Sequence, residues 1–180
     1  MDNIEVEIKL IVRDLEATRD RVLASGGKQI HPEVLQRTVR LDTPEGDLQK
    51  KGIFLRVRTG DVSVITLKSK KDSSVYKSSL ELETEVKSAE MAENILRGLG
   101  YTEELIMEKY REDFELGDTV VSLDRLPFGN FVEVEGEPEK IEAVIKLLEL
   151  ESVERSTATY WHLHEEFNKA NNLTDENIVF

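Results

Sequence analysis

Residues 4–10 read IEVEIKL, in which apolar and charged residues alternate without interruption. This alternation predicts a β-strand that buries one face and carries its charges on the other. Glu5, Glu7 and Lys9 therefore share a face. Two carboxylates at positions i and i+2 of a strand lie roughly 7 Å apart, so both can bind one divalent cation. A solvated strand face explains one such stretch equally well, so its recurrence along the chain is the informative feature.

The composition is that of a globular protein with a high charge content. The 180 residues, of which 39% are apolar and 34% are charged, suit one domain with a substantial core. We assign residues 1–170 to this domain and residues 171–180 to a polar C-terminal tail.

Net charge and cysteine content exclude several classes of function. The formal net charge is −13 and no basic stripe is present, which argues against nucleic-acid binding. The absence of cysteine excludes disulfides, thiolate metal sites and cysteine nucleophiles. No apolar run is long enough for a membrane helix or a signal peptide, so we expect no membrane association and a cytoplasmic location.

The order of the segments predicts an α+β fold of mostly antiparallel strands and about four helices. Extended segments are predicted at residues 31–42, 53–58, 62–68, 80–86, 101–115, 119–126 and 131–135. Helices are predicted at 15–25 after an Asp14 cap, at 89–98 after a Ser88 cap, from Pro138 onward, and at 157–170. The polar residues 69–77 are predicted to form a mobile loop.

Along these strands the charged residues occupy alternate positions, and the positions between them are mainly Ile, Val, Leu and Phe. The charged residues of each strand therefore share one face. This face is either the flat exterior of the protein or the lining of a sheet that curls and closes. Like charges about 5 Å apart repel by roughly 3 kcal/mol at an effective dielectric of about 20, so neighbouring Glu-x-Glu strands need cations. Carboxylates suit Mg²⁺ or Mn²⁺, and Arg and Lys suit phosphate oxygens. A cavity for metal and polyanion is one explanation of the pattern, and a solvated or salt-bridged face is the other.

The EVEIK sequence at residues 5–9 resembles the E-x-E-x-K signature of the CYTH superfamily, which includes class IV adenylyl cyclases and thiamine triphosphatases. Further segments resemble the motifs of this family in the same order: QRTVRLDTP at 36–44, LRVR at 55–58, TLK at 66–68, ELE at 81–83, KYR at 109–111, LD at 123–124, GNFVEVE at 129–135 and TY at 159–160. One E-x-E-x-K match is weak evidence, whereas this ordered series is specific.

The resemblance implies an eight-stranded antiparallel closed barrel with flanking helices, whose tunnel binds a triphosphate with divalent metal, Mg²⁺ or Mn²⁺, as two ions. By this likeness the metal ligands are Glu5, Glu7, Asp124, Glu133 and Glu135. The residues that bind phosphate and carry the catalysis are Lys9, Arg56, Arg58, Lys68, Lys109 and Arg111. Glu81 and Glu83 belong to the same lining, where they either position a second metal or order the basic residues.

The chain departs from the family pattern on one strand. Arg37 stands where the family usually has Asp, and Val39 and Arg40 stand where it has aromatic residues, so nucleotide positioning near this strand is open. We interpret Arg40 as facing solvent, with a phosphate contact as the alternative.

Other conspicuous residues receive a structural interpretation. Tyr160 and Trp161 are predicted to pack on a helix face, with a cap over the tunnel as the alternative, and the three histidines are too scattered for a ligand role. The loop at residues 69–77 is interpreted as a solvated loop. Because it carries Lys70, Lys71 and Lys77, a lid over bound phosphate is the alternative.

Three functions follow from the resemblance. The EVEIK form and the length resemble the class IV adenylyl cyclases, so conversion of ATP to cyclic AMP and pyrophosphate comes first. An inorganic or thiamine triphosphatase that releases orthophosphate is the alternative, and a non-catalytic nucleotide- or polyphosphate-binding module is the third. The expected partner is thus a small-molecule triphosphate, namely ATP, thiamine triphosphate or tripolyphosphate. An exposed helix face would also support a homodimer, although no sequence pattern demands one.

Overall fold

The structure is a computed structural model that describes residues 4–71 and 76–180. The strands in these ranges are β1 (Ile4–Val12), β2 (Lys28–Asp42), β3 (Ile53–Thr59), β4 (Val64–Lys71), β5 (Lys77–Glu85), β6 (Glu103–Leu116), β7 (Thr119–Leu126), β8 (Gly129–Glu135) and β9 (Arg155–Ser156). The helices are α1 (Leu15–Ala24), α2 (Asp47–Lys50), α3 (Ala89–Gly98), α4 (Pro138–Leu147) and α5 (Tyr160–Asn171).

Eight of the strands hydrogen-bond in the order β5-β4-β3-β2-β6-β7-β8-β1, and β1 pairs with β5 to close the ring. Every pairing is antiparallel. The strand β1 closes the ring because it has two partners: Glu7 lies opposite Lys77 of β5 and opposite Glu135 of β8. The short β9 pairs with β1 at Lys9 and Leu10. The predicted eight-stranded antiparallel barrel is confirmed.

Closure decides which face of the strands lies inside. Ile8 and Leu10 of β1 are buried in the core between the sheet and the helices. Glu7 and Lys9, on the other face of the same strand, are buried inside the ring, where they line a cavity. The charged face is therefore the interior of the barrel, and the alternative of a flat exterior face is wrong.

The helices cover the apolar outer face of the ring in two places. Val22 of α1 and Ile141 and Ile145 of α4 pack against β1, β6, β7 and β8. Leu96 of α3 packs against β2 and β3, together with Val39. Burying one such aliphatic side chain contributes about 1.5–3 kcal/mol to folding, so these two layers hold the ring closed from outside.

The predicted helix starts agree with the caps in the structure. The Asp14 carboxylate accepts a hydrogen bond from the Ala17 N–H at 2.9 Å, and the Ser88 hydroxyl accepts one from the Met91 N–H at 3.1 Å. Helix α4 starts at Pro138, whose missing N–H costs nothing in a first turn.

Part of the segment that was predicted as a mobile loop belongs to strands. Strand β4 continues to Lys71 and β5 begins at Lys77, so residues 69–71 and 77 of the predicted loop are strand. Residues 72–75 lie outside the described residues, as do the side chains of Lys70 and Lys71, and the lid alternative for these lysines lies there with them. The side chain of Lys77 is described and lines the cavity.

The short helix α2, which was not among the predicted helices, is held by one carboxylate. Asp42 at the end of β2 accepts hydrogen bonds from the N–H groups of Thr43, Leu48 and Gln49 at 2.7, 2.9 and 2.9 Å. Burial works against ionisation of Asp42, but these N–H donors prevail and hold its pKa below the ordinary value.

Replacing Asp42 with asparagine is expected to lower the free energy of unfolding by about 1–2 kcal/mol at neutral pH, since the amide cannot accept all three bonds. Because the folded-state pKa is lowered, the wild-type advantage is full above the unfolded value of about 3.9 and disappears as the pH falls through the folded value. Urea denaturation of both proteins between neutral and acidic pH measures this. A difference that stays constant with pH would contradict the assignment to the ionised carboxylate.

The C-terminal segment is polar up to residue 176, but its last residues are anchored on the barrel. The Ile178 N–H donates to the Ile106 carbonyl at 2.9 Å, and the Ile178 carbonyl accepts from the Glu108 N–H at 2.6 Å. The Ile178 side chain is 1% exposed and packs in a cluster with Met107 and Tyr160. None of the helices in the described ranges is both long and apolar enough to cross a membrane.

Replacing Ile178 with alanine is expected to lower the free energy of unfolding by about 2 kcal/mol, because it empties a closed apolar site. Thermal or urea denaturation measures the loss. Its neighbour Val179 is 45% exposed, and Val179→Ala should change stability by less than about 0.5 kcal/mol. Equal losses in the two variants would show that the tail is not anchored through Ile178.

Candidate active site

The interior of the barrel forms a cavity of 710 Å³ that is lined by both signs of charge. Its basic side chains are Lys9, Arg40, Arg56, Arg58, Lys68, Lys77, Lys109 and Arg111. Its acidic side chains are Glu5, Glu7, Glu81, Glu83, Glu133 and Glu135. The cavity thus has a basic excess in a chain whose net charge is −13, so it is the part of the protein that suits an anion.

Asp124 is the centre of a buried cluster of charged side chains next to the cavity. It is fully buried on β7, and Arg111 binds both of its carboxylate oxygens. Lys109 Nζ and the Tyr160 hydroxyl donate to its Oδ2 at 3.0 and 2.7 Å. Burial opposes its charge, but Arg111 and Lys109 lower the pKa of Asp124 below the ordinary value. In this arrangement Asp124 holds basic side chains in position beneath the cavity.

Glu133 connects this cluster to Lys9 on β1. It accepts from Arg111, and its other oxygen lies 3.0 Å from Lys9 Nζ. Lys9 is 2% exposed and also donates to Glu7 at 2.5 Å, and Lys77 Nζ lies 2.5 Å from the same Glu7 oxygen. Burial opposes the charge of Glu7, but Lys9 prevails, so the pKa of Glu7 is lowered to about 2.

The surroundings of Lys109 disfavour its charged form. Its burial, and then the neighbouring Arg111, lower the pKa of Lys109 to about 8 although Asp124 opposes the shift. A bound polyanion would stabilise the charged form of this lysine, because it would add negative charge on the cavity side.

The opposite wall is built by β3, β4 and β5. Lys68 Nζ lies 2.6 Å from Glu5 and 2.8 Å from Glu81. Arg56 lies 3.6 Å from both Glu81 and Glu83, while Arg58 lies 3.5 Å from Glu83. Of the two tasks that the sequence left open for Glu81 and Glu83, ordering the basic residues is the one that these contacts perform.

The predicted metal ligands differ in their ion pairs. Four of the five are engaged by Lys or Arg, as described above, namely Glu5, Glu7, Asp124 and Glu133. Glu135, in contrast, makes no ion pair within the described residues; partial burial and the carboxylates of Glu5 and Glu7 raise its pKa to about 7. Glu5, Glu7 and Glu135 are thus a crowded set of hard oxygen donors, which fits Mg²⁺ or Mn²⁺ in chemistry. Within residues 4–71 and 76–180, no three acidic or histidine side chains already converge as one metal site.

The start of α5 lines part of the cavity, which the favoured sequence interpretation missed. Tyr160 is 5% exposed, and its ring lies 5.1 Å from Lys9 Nζ and 5.2 Å from Lys109 Nζ. Trp161 also lines the cavity, and both side chains pack in a cluster with Phe131 and Ile178, so the two residues pack as predicted and line the cavity as well. The Thr159-Tyr160 pair in the family resemblance was the signal that could have found this.

The strand that departs from the family pattern contributes one residue to the cavity. Arg40 is half-buried in the cavity wall and donates to Gln49 at 2.9 Å, so its solvent-facing interpretation is wrong. Val39 is buried on the outer face against α3, and Arg37 shares the parity of that face. His162 lies at the rim of the cavity, whereas His31 pairs with Asp61 on the surface.

Several known proteins are similar to this chain in sequence or in fold. Residues 3–160 match the CYTH domain. A protein of Methanocaldococcus jannaschii, provisionally named an adenylate cyclase, is 28% identical over 148 residues, which are 81% of this chain and 84% of that protein. A solved structure from Vibrio parahaemolyticus, also provisionally named an adenylate cyclase, has a TM-score of 0.80 at 20% identity and covers 92% of this chain and 99% of its own.

A second similar structure comes from Hippeastrum. It has a TM-score of 0.65 at 21% identity and covers 91% of this chain and 95% of its own. It is provisionally named an adenylyl cyclase and is described as having a dominant triphosphatase activity. At these identities the two structures establish the shared fold. The matched domain includes all eight strands of the ring and the start of α5. The chain therefore belongs to the CYTH family.

Proposed function

We propose that this protein is a metal-dependent enzyme that acts on a triphosphate inside the barrel, and that conversion of ATP to cyclic AMP and pyrophosphate is its first candidate reaction. The observation that carries the proposal is the concentration of eight basic side chains around one cavity in an acidic chain. The relative from Methanocaldococcus jannaschii, provisionally named an adenylate cyclase, supports the cyclase as the first candidate.

The basic residues of the proposal are already held in place before any ligand binds. Lys9, Lys109 and Arg111 are fixed by Glu7, Asp124 and Glu133, and Arg56, Arg58 and Lys68 by Glu5, Glu81 and Glu83. Such preorganised cations stabilise the negative charge that develops on a leaving phosphate group, because little rearrangement is needed during the reaction. They are the residues to which we assign phosphate binding.

The carboxylates of Glu5, Glu7 and Glu135 would hold Mg²⁺ or Mn²⁺ beside these cations. When bound, such an ion supplies Lewis-acid polarisation of phosphate oxygens and activation of the nucleophile. In the cyclase reaction the 3′-oxygen of ATP forms a bond to the α-phosphorus, the bond from that phosphorus to the β-phosphate oxygen breaks, and pyrophosphate leaves. We assign to Arg111 and Lys109 the binding of the charge of the departing group.

Hydrolysis of a triphosphate is the second candidate function. The fold neighbour from Hippeastrum, with its dominant triphosphatase activity, favours this alternative. Here a water oxygen forms a bond to the terminal phosphorus, the bond from that phosphorus to the bridging oxygen breaks, and the products are orthophosphate and the remaining diphosphate. The same cavity serves both reactions, since they differ in the nucleophile and in which phosphorus is attacked. A module that binds the triphosphate without turnover is the third candidate.

The experiment is turnover of ATP, thiamine triphosphate and tripolyphosphate with Mg²⁺ and with Mn²⁺, with identification of all products. We expect cyclic AMP and pyrophosphate from ATP, and no product when Lys68 is replaced by methionine. The exposed Lys146→Met variant is the matched control and should behave as wild type. Orthophosphate as the only product would identify a triphosphatase and contradict the cyclase. No turnover with any metal would indicate a module that only binds the triphosphate.

A further inference from the structure

The start of β6 extends beyond the end of its neighbour β7. Strand β2 pairs with β6 from Glu103 onward, whereas the pairing of β7 with β6 starts at Tyr110. Backbone N–H and C=O groups that are removed from water need hydrogen-bond partners. The partners on this edge of β6 must therefore come from another part of the chain.

Residues 177–180 supply these partners, and we call them the edge segment. The Ile106 N–H donates to Asn177 Oδ1 at 2.8 Å, and the Ile106 carbonyl accepts from the Ile178 N–H at 2.9 Å. The Glu108 N–H donates to the Ile178 carbonyl at 2.6 Å. The edge segment thus runs parallel to β6 and continues the wall of the barrel where β7 ends.

Ile178 is the buried side chain of the edge segment. It is 1% exposed and lies in one apolar cluster with Met107 and Tyr160. Met107 and Tyr160 both line the cavity, whereas Ile178 does not. Ile178 therefore forms a second layer, which packs behind two side chains of the cavity wall.

Tyr160 connects this second layer to the buried cluster of charged side chains around Asp124. The Tyr160 hydroxyl donates to Asp124 Oδ2 at 2.7 Å, and Lys109 Nζ donates to the same oxygen at 3.0 Å. A displacement of Tyr160 by about 1 Å would break its bond to Asp124, because hydrogen bonds extend only to about 3.2 Å. Displacements of this size are enough to slow a reaction strongly when they move a catalytic group.

We infer that Ile178 is a positioning residue of the active site. It keeps the Tyr160 hydroxyl on Asp124, and this bond in turn fixes the oxygen to which Lys109 donates. The inference rests on the proposed function, which assigns the departing group to Lys109 and Arg111. It extends the active site beyond residues 3–160, which match the CYTH domain, because the edge segment lies outside that range.

The test is a double-mutant cycle of Ile178→Ala and Tyr160→Phe, measured on the triphosphate that wild type turns over. Each single variant should lower kcat by about tenfold while KM changes little, because the opposite wall with Arg56 and Lys68 stays in place. In the Tyr160→Phe background, Ile178→Ala should lower kcat further by less than about threefold, since the hydroxyl that it positions is already absent. A purely structural role would give the same factor in both backgrounds.

The fluorescence of Trp161 gives a second measurement that needs no turnover. Trp161 is the only tryptophan of the chain, and it packs against the cluster that contains Ile178. Acrylamide quenching of this fluorescence should rise in Ile178→Ala. Val179→Ala is the matched control, because Val179 is the next residue and is 45% exposed. It should leave both kcat and quenching at the wild-type values.

Three results would overturn the inference: an equal loss of kcat in the two backgrounds, wild-type kcat in Tyr160→Phe, or unchanged quenching in Ile178→Ala. If thermal denaturation shows that Ile178→Ala does not fold, Asn177→Ala takes its place, since it removes only the acceptor of the Ile106 N–H.

A wild type without turnover would contradict the proposed function and leave the inference open to a separate decision. The same cycle is then measured on the Kd of tripolyphosphate by titration calorimetry. A weaker Kd in Ile178→Ala that is absent in the Tyr160→Phe background supports the positioning role. Equal effects in the two backgrounds, or no effect in either, overturn it.

Discussion

Replacing Arg111 with methionine is expected to lower the free energy of unfolding by about 3–5 kcal/mol and to abolish turnover of the triphosphate. Arg111 binds both oxygens of Asp124 and one oxygen of Glu133, and all three groups are buried or nearly so. Removing the guanidinium leaves two buried carboxylates with less positive charge beside them. The cost is large because a buried charge that loses its partner cannot regain water.

A second substitution separates the stability effect from the catalytic one. In Arg111→Met/Asp124→Asn the buried charge is removed together with its partner, so the double variant should be more stable than Arg111→Met by about 1 kcal/mol or more. It should remain inactive, because the cation assigned to phosphate is still missing. Urea denaturation and turnover assays measure the two properties. The exposed Arg13→Met variant is the control and should change neither by much.

Two results would contradict this account of Arg111. Recovery of turnover in the double variant would mean that Arg111 acts only by neutralising Asp124. A stability loss below about 1 kcal/mol in Arg111→Met would mean that the ion pairs with Asp124 and Glu133 do not support the barrel interior.

Replacing Glu135 with glutamine is expected to lower turnover by about 100-fold while the stability of the free protein stays equal or rises. Glu135 has no cationic partner within the described residues, and Glu5 and Glu7 repel its charge, so the neutral amide relieves repulsion. The loss of turnover follows from the loss of one oxygen ligand in the group that would hold Mg²⁺ or Mn²⁺, since a metal contributes several kcal/mol to such reactions.

The measurements for Glu135→Gln are the metal concentration that gives half-maximal turnover and the thermal midpoint without metal. We expect the first to rise and the second not to fall. Glu154→Gln is the matched control, because Glu154 is exposed and outside the cavity. Unchanged metal dependence would remove Glu135 from the ligand set, and a clear loss of stability would show that it supports the barrel instead.

Much of the site was predictable from the sequence because strands have a period of two. The parity of Glu5, Glu7 and Lys9 gave their common face, and the order of the family motifs gave ring closure. The same parity gave Arg56 and Arg58 a common face, which the family resemblance assigned to the interior of a barrel. A face can be assigned in this way because neighbouring side chains on a strand must point to opposite sides, whatever the rest of the chain does.

The pairing of charges was not predictable in the same way. Lys68 meets Glu5 across 63 residues, and Tyr160 meets Asp124 across 36 residues. These partners depend on which strands become neighbours and on where α5 enters the ring. The solvent-facing interpretation of Arg40 failed for a related reason, since only the closed ring and the aromatic residues beside it fix its direction.

The sequence by itself determined the α+β class, the charged and apolar faces of the strands, and the caps of α1 and α3. These properties follow from local backbone geometry, which a single chain segment carries. Only the tertiary structure decided that Asp124 and Glu133 hold basic side chains, that Glu135 is without a cation among the described residues, and that Phe54 meets Trp161 at one end of the cavity. These depend on contacts between distant segments, and closure of the barrel sets their distances.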